Sequence, residues 1–248
     1  MQAPLRPEPI ACRVPLLLLL VSCVSLGAAR AQTTVRGRIE LEGARHSRKA
    51  VPTTVVWLTP LNVTGAVPKT DPATGFRLVQ KNKSFDPHIL VVPVGSVVEF
   101  PNHDPFFHNV FSLFEGKRFD LGLYEAGGTR MVHFDRLGVS YIFCNIHPEM
   151  SAVVITVTTP LYGISNPAGQ VSISDVPFGR YTLHTWSEEG SPETSEIPSR
   201  EITISEDAPS LGVIKVAAPN AQTLAHKNKY GRDYDEPTPN NPVYRQQR

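Results

Sequence analysis

The chain has few cysteines and few charges, and it has no long helical pattern. Only 3 of its 248 residues are cysteine, and Asp, Glu, Lys and Arg together make up 19%. The formal net charge of +1 gives no general attraction to nucleic acid or to an anionic membrane. No hydrophobic period of 3.6 residues persists, and no Gly-rich phosphate loop occurs. These absences argue against a disulfide-rich scaffold, a helical bundle and a basic nucleic-acid-binding protein.

The N-terminal segment has the layout of a secretory signal. Arg6 and Arg13 precede an apolar stretch at residues 14–26, and Ala29-Arg30-Ala31 offers small residues for cleavage. The apolar stretch is short for a helix that spans a membrane. We therefore predict that residues 1–31 are a signal peptide and that the mature protein is periplasmic or otherwise extracytoplasmic.

A lipoprotein signal is the alternative. Leu20-Val21-Ser22-Cys23 resembles a bacterial lipoprotein box, in which Cys23 would carry the lipid and anchor the protein to a membrane. Cleavage after Ala31 instead leaves 21 basic and 22 acidic residues and a single cysteine, Cys144. One thiol cannot form an internal disulfide, so a lone cysteine in an oxidising compartment needs another explanation, such as metal ligation.

The rest of the chain predicts an all-β structure. Short apolar segments alternate with turn residues, and such spacing is typical of a β-sandwich. The predicted strands are Thr33–Leu41, Thr53–Leu58, His88–Val94, Ser96–Phe100, Phe107–Leu113, Thr129–Phe134, Val139–Phe143, Ala152–Thr158, Gln170–Ser174, Arg180–Trp186, Glu201–Ile204 and Leu211–Val216.

The pattern divides the mature chain into three parts. Residues 32–160 form the first predicted β domain, and residues 161–216 form a second, smaller one. The stretch at residues 175–186 resembles the closing hairpin of a carboxypeptidase-regulatory-like sandwich, and Val35–Ile39 is similar to the first strand of such a domain. Strand exchange between the two halves is therefore possible. Residues 217–248 are polar and poor in β-branched residues, which predicts a disordered tail.

One segment concentrates side chains that bind soft metals. Cys144, His147 and Met150 follow an apolar strand with the spacing Cys-x-x-His-x-x-Met, so a short loop can bring all three donors to one ion. Thiolate, thioether and imidazole together favour copper over magnesium, calcium or manganese. A second imidazole would complete a His₂Cys plane with a weak axial Met, and His108 is the best candidate because its segment leads into another predicted strand, Phe107–Leu113.

The sequence around these residues resembles that of the cupredoxins, and the length of the loop from Cys144 to Met150 is similar to that of amicyanin. The resemblance also extends to bacterial cupredoxin-like proteins labelled as methylamine-utilisation proteins, and it covers residues 80–158. It implies a Greek-key cupredoxin sandwich with His108, Cys144 and His147 as strong copper ligands and Met150 as the weak axial ligand. It also implies that Asn109 joins the two ligand loops by hydrogen bonds.

Each candidate ligand also has an ordinary structural alternative. Cys144 and Met150 can be core residues, His147 a surface residue before proline, and His108 an edge-strand histidine. His103 is interpreted as a solvated loop residue. A single thiolate allows one mononuclear copper ion, whereas a dinuclear copper-A site needs two. A nucleophilic enzyme is disfavoured because Met150 and two imidazoles fit ligation better than catalysis.

Electron transfer is the function that this ligand set favours. The protein would exchange electrons with a transient redox partner at the edge of His147, where Ile146 and Pro148 would form a small apolar docking patch. The alternative is a module that stores or delivers copper without redox turnover. The visible spectrum of the copper-loaded protein distinguishes the two.

Overall fold

A computed structural model describes residues 32–42, 51–68, 75–113, 116–188, 197–217 and 227–234. These residues form strands without any helix, which confirms the predicted all-β sandwich class. Among them, no helix long and apolar enough to cross a membrane is found. The predicted signal peptide, Cys23 and most of the predicted tail lie outside the described residues.

The strands are β1 Gln32–Leu41, β2 Thr54–Val63, β3 Phe76–Arg77, β4 Val79–Lys81, β5 Ser84–Asp86, β6 Ile89–Pro93, β7 Ser96–Pro101, β8 His108–Ser112, β9 Phe119–Tyr124, β10 Thr129–Phe134, β11 Gly138–Cys144, β12 Ser151–Val157, β13 Tyr162–Ile164, β14 Gln170–Pro177, β15 Gly179–Ser187, β16 Ser199–Ile204 and β17 Ser210–Val216.

Two facing sheets form the half of the structure that carries the predicted ligands, called here the metal half. One has the order β6-β12-β11-β8-β9 and the other β10-β7-β3. Alternate apolar side chains from both sheets form one buried cluster, because successive residues of a strand point to opposite faces. That cluster includes Phe100, Phe134, Ile142 and Val154, and it also contains Cys144. The predicted cysteine ligand therefore lies inside the core of this half.

Two further sheets form the other half and correct the predicted boundary. Their orders are β13-β2-β15-β16 and β14-β1-β17. The predicted division placed residues 32–63 with the first domain, but β1 and β2 pair with strands that follow Pro160. The cause is visible in the side chains: Val35, Ile39, Val56 and Leu58 are buried with the apolar residues of β14–β17. The first strands of the chain thus belong to the second half, which is the strand exchange that the similarity of Val35–Ile39 to a carboxypeptidase-regulatory-like first strand left open.

A third apolar cluster joins the two halves. It combines Trp57 and Trp186 from β2 and β15 with Val153, Ile155 and Val157 from β12. The other face of β12, through Ala152 and Val154, packs into the core of the metal half. β12 is therefore buried on both faces. Each half encloses one apolar cluster, and the third cluster lies between the halves.

The pair His88–Glu188 crosses the same junction. Nε2 of His88 lies 2.5 Å from the Glu188 carboxylate, and Nδ1 lies 3.0 Å from the carbonyl of Ser151. The hydrogen bond to Glu188 raises the pKa of His88 despite partial burial. The hydrogen bond from His88 lowers the pKa of Glu188 against the opposing effect of burial.

These shifts predict a pH-dependent contribution to stability. Because the pKa of His88 is raised, its protonated form stabilises the fold at pH values below the unfolded pKa of 6.5. This stabilisation is lost as the pH rises through the folded pKa. The lowered pKa of Glu188 stabilises it above 4.5, and this is lost as pH falls through the folded pKa. Solvent screening limits the contribution to about 0.2–1 kcal/mol. We expect His88→Gln to reduce stability to urea at pH 5.5 more than at pH 8.5, with His133→Gln as control. An equal effect of His88→Gln at both pH values would contradict the prediction.

Candidate metal centre

Neighbouring strands bring the predicted ligands together. Cys144 is the last residue of β11 and pairs with Val110 of β8, two residues after His108 at the start of that strand. The loop after Cys144 is closed by two backbone hydrogen bonds: the Met150 amide donates to the His147 carbonyl (3.0 Å), and the Cys144 amide donates to the Met150 carbonyl (3.2 Å). The loop therefore turns His147 back toward the end of β11.

Three donor atoms converge on one point. The Cys144 Sγ lies 3.7 Å from Nδ1 of His108 and 3.6 Å from Nδ1 of His147, and the two nitrogens are 3.2 Å apart. Bonds of about 2.0 Å to nitrogen and about 2.3 Å to sulfur, as zinc makes, put trigonal donors about 3.5 Å (N–N) and about 3.7 Å (N–S) apart. The donors present thus fit a first-row metal ion. Among the described residues, this is the group of His, Cys, Asp and Glu side chains that could hold one.

Burial keeps all three donors in their neutral forms at neutral pH when no metal is bound. Cys144 and His108 are fully buried and His147 is 4% exposed. Burial lowers the pKa of His108, although Asp104 opposes this, and burial together with the nearby His108 lowers the pKa of His147 to about 4. Burial also raises the pKa of the Cys144 thiol. Both imidazoles therefore have lone pairs to offer, and metal binding would release the thiol proton.

Backbone amides surround the sulfur. The amides of Asn109, Ile146 and His147 donate hydrogen bonds to Cys144 and partly offset the effect of burial on its pKa. Hydrogen bonds to a ligating sulfur stabilise its negative charge and tune the potential of a bound metal. The turn geometry of the loop, which the sequence predicts only in outline, supplies two of these three donors.

Asp104 is a residue of the candidate site that sequence analysis did not single out. Its Oδ2 lies 3.0 Å from Nε2 of His108, and its side chain is 5% exposed. We assign the His108 proton to Nε2, since the carboxylate can only accept there and Nδ1 faces the sulfur. Burial alone would raise the pKa of Asp104, but hydrogen bonds from the Lys83 amide, His108 and the Asn82 amide lower it. The carboxylate therefore stays ionised and fixes the ring.

A tight hairpin orients Asp104 in turn. Asn82 and Lys83 connect β4 and β5 with positive φ angles of 55° and 54°, the pattern of a two-residue turn. Their amides donate to the two carboxylate oxygens of Asp104 at 2.6 and 3.0 Å. The only sequence signal for this role is the position of Asp104 four residues before His108.

Removing this carboxylate should weaken metal binding. We expect Asp104→Ala to lower copper affinity about 10- to 100-fold, the usual effect of losing a partner that orients a ligating histidine. Competition with a chromophoric chelator measures it. Asp135→Ala is the matched control because it removes an exposed carboxylate paired with Lys117. Unchanged affinity in Asp104→Ala would show that β8 packing alone orients His108.

Phe106 is a second residue that the sequence did not single out. Its ring centroid lies 5.3 Å from the ring of His108 and 5.5 Å from the ring of His147, and the two imidazoles are 4.9 Å apart. The aromatic ring therefore contacts both candidate ligands. We expect it to limit the access of water to their donor atoms.

Asn109 joins the ligand segments through its main chain rather than its side chain. Its carbonyl accepts from the Asn145 amide at 2.9 Å, and its amide donates to Cys144. The side-chain Nδ2 instead donates to Asp120 (2.7 Å) and to the carbonyl of Gly122 (3.0 Å), both in β9. The predicted link between the two ligand segments is therefore present through the backbone of Asn109. Its side-chain carboxamide instead anchors the edge strand β9.

Two other predicted residues have simple placements. Met150 is fully buried in the same apolar cluster as Cys144, so its thioether belongs to the core of the metal half. His103 is exposed, and its amide donates to the Gln80 carbonyl at 2.8 Å, as a loop residue would.

The predicted disordered tail requires a correction at residues 227–234. These residues are described, and they contact the loop that carries Cys144. Polar composition predicted disorder for residues 217–248, but Lys229 and Tyr234 make specific hydrogen bonds to the metal half. The remaining residues of the predicted tail, apart from residue 217, lie outside the described part of the chain.

Comparison with solved structures finds copper proteins. A purple cupredoxin from Nitrosopumilus maritimus is similar over 33% of this chain and 99% of its own, with 23% identity and a TM-score of 0.30. A copper-containing nitrite reductase from Thermus scotoductus SA-01 matches over 40% of this chain and 27% of its own, with 23% identity and a TM-score of 0.33. A variant of amicyanin matches over 41% of this chain and 98% of its own, with 17% identity and a TM-score of 0.32. No family model and no curated protein matches the chain.

Proposed function

We propose that this protein is an exported type 1 copper protein that transfers single electrons, with one copper ion held by His108, Cys144, His147 and Met150. The observation that carries the proposal is the buried triangle of one sulfur and two imidazole nitrogens, with sides of 3.7, 3.6 and 3.2 Å. Bound copper would supply a one-electron couple between Cu(I) and Cu(II). Export rests on the signal-like layout of residues 1–31.

Each residue has a distinct part in the proposal. Cys144 offers the soft sulfur, whose charge three backbone amides would stabilise. His108 offers a nitrogen that Asp104 orients, and His147 offers the second from the loop. Met150 would add the weak thioether, a role supported by its spacing from Cys144 and its burial in the same cluster.

The partner would be a redox protein that binds transiently at the loop. His147 is 4% exposed, so an electron would leave through the loop surface. Ile146 packs partly against the core and Pro148 is exposed, so Pro148 is the more accessible residue of the predicted patch. Transient redox complexes bury little area, which such a patch would serve. No catalytic reaction is assigned to the chain.

The visible spectrum of the copper-loaded mature protein tests the proposal. We expect one copper per chain and an intense visible band that disappears on reduction and returns on oxidation. A colourless protein that binds only Cu(I) would instead identify a storage or delivery module. A protein that binds no copper at all, with its fold intact by circular dichroism, would reject both functions.

A further inference from the structure

Residues 227–234 form a compact turn, called here the C-terminal clasp. The side-chain oxygen of Asn228 accepts from the amides of Tyr230 (3.0 Å) and Arg232 (3.1 Å), and the Gly231 amide donates to the Asn228 carbonyl at 2.9 Å. Gly231 has a φ of 74°, which glycine adopts without a steric penalty. The sequence Asn-Lys-Tyr-Gly therefore specifies a local turn within a polar segment.

Lys229 connects the clasp to both ligand segments. Its amide donates to the Asn145 side chain at 3.0 Å, next to Cys144. Its ammonium lies 2.8 Å from Oδ2 of Asp120, whose other oxygen accepts from Asn109. The Lys229 side chain is 18% exposed, so water screens this ion pair less than an exposed one. Lys229 thus contacts both the loop after Cys144 and strand β9, which in turn anchors Asn109.

Tyr234 contacts the cysteine directly. Its hydroxyl donates a hydrogen bond of 2.9 Å to the backbone carbonyl of Cys144. Tyr234 is neither fully buried nor fully exposed. The hydroxyl thereby fixes the peptide that leads from the Cys144 ligand into the loop. Both contacts join positions far apart in sequence, so nothing local in the chain requires them.

We propose that the C-terminal clasp is a positioning element of the metal centre: Lys229 and Tyr234 hold the Cys144 loop against β8 and β9 and so slow loss of the metal. The inference rests on the proposed copper function, which it deepens. When the clasp is released, the loop from Asn145 to Met150 opens more often and the ion can leave through it.

Two full-length variants remove the contacts separately. Tyr234→Phe deletes the hydroxyl and keeps the ring, and Lys229→Met deletes the ammonium and keeps the stem. The matched controls are Tyr162→Phe in β13 and Lys215→Met in β17, which make the same changes in the other half of the structure. Unfolding in urea checks that each variant unfolds at the same denaturant concentration as its matched control, so that local effects can be measured.

Hydrogen exchange of the copper-free protein measures the clasp without the metal. Each variant should exchange the amides of residues 145–147, 149 and 150 about two- to tenfold faster, as the loss of one hydrogen bond predicts, and the controls should not. Unchanged exchange in both variants would overturn the proposal that the C-terminal clasp holds the loop. This arm stays informative if the protein binds no copper, an outcome that rejects the proposed function alone.

The copper-loaded protein tests the consequence for the metal. Transfer of Cu(I) to an excess of chelator should accelerate by a similar factor in Tyr234→Phe and Lys229→Met, and the visible band of the oxidised form should shift or broaden. Faster amide exchange with unchanged copper loss and an unchanged band would overturn the positioning role.

Discussion

Replacing Cys144 with serine should abolish the intense visible absorption of the copper-loaded protein. Among the residues that the structure describes, Cys144 offers the only thiol at the site, and a hydroxyl cannot replace a soft ligand. We expect Cu(I) affinity to fall by more than the roughly 10- to 100-fold expected from losing an orienting partner. A visible spectrum of the oxidised form and a chelator competition for the reduced form measure the two effects.

A pair of histidine variants serves as the control for this result. His108→Gln removes a nitrogen that lies 3.7 Å from the sulfur, whereas His103→Gln removes an exposed imidazole five residues earlier. His108→Gln should alter the spectrum strongly and His103→Gln should leave it unchanged. A full-strength visible band in Cys144→Ser would show that the colour does not arise from the sulfur, and the ligand assignment would then be wrong.

Trp186→Ala should lower the free energy of unfolding by about 3–5 kcal/mol, as large aromatic truncations in a core do. The side chain is 7% exposed and belongs to the apolar cluster that joins the two halves. Its indole N–H also donates to the hydroxyl of Tyr141 in β11 at 3.3 Å. Urea unfolding followed by far-ultraviolet circular dichroism measures the loss, and the fluorescence of Trp57 reports on the same junction.

Two further variants separate burial from the hydrogen bond. Trp186→Phe keeps most of the apolar area and loses the N–H, so it should cost less than the alanine variant. Leu137→Ala truncates a side chain that is 54% exposed and should change stability by about 0.5 kcal/mol or less. If Trp186→Ala cost no more than Leu137→Ala, the junction would contribute nothing to the stability of either half.

The sequence predicts the strands that carry an uninterrupted apolar or alternating pattern and misses those that polar residues and glycine interrupt. β12 was predicted because Ala152 to Val157 form an apolar β-branched run, and the structure buries that run on both faces. β9 was not predicted, because Asp120 and Gly122 break the pattern. Their roles explain the break: Asp120 accepts from Asn109 and Lys229, and Gly122 has a φ of 67° at the edge of the sheet.

The same limit applies to the candidate site. His108, Cys144 and His147 were predicted from residue type and spacing, which are local signals, and the structure brings their donor atoms together. Asp104 and the C-terminal clasp were missed, because only tertiary contacts distinguish a carboxylate that orients His108 from any acidic loop residue. The boundary at residue 160 was misplaced for a related reason, since β1 pairs through residues 36–41 with residues 210–216 of β17, far along the chain.

The placement of β1 and β2 has a consequence for how the polypeptide is made. Their partners are β13, β14, β15 and β17, so the metal half is a nested insertion within the other half. A nascent chain that emerges with its N-terminus first would hold two unpaired strands while residues 75–157 are synthesised. Only the arrival of the last five strands completes the host sheets. Until then, the unpaired edges of β1 and β2 are the segments most exposed to aggregation and would benefit most from a chaperone.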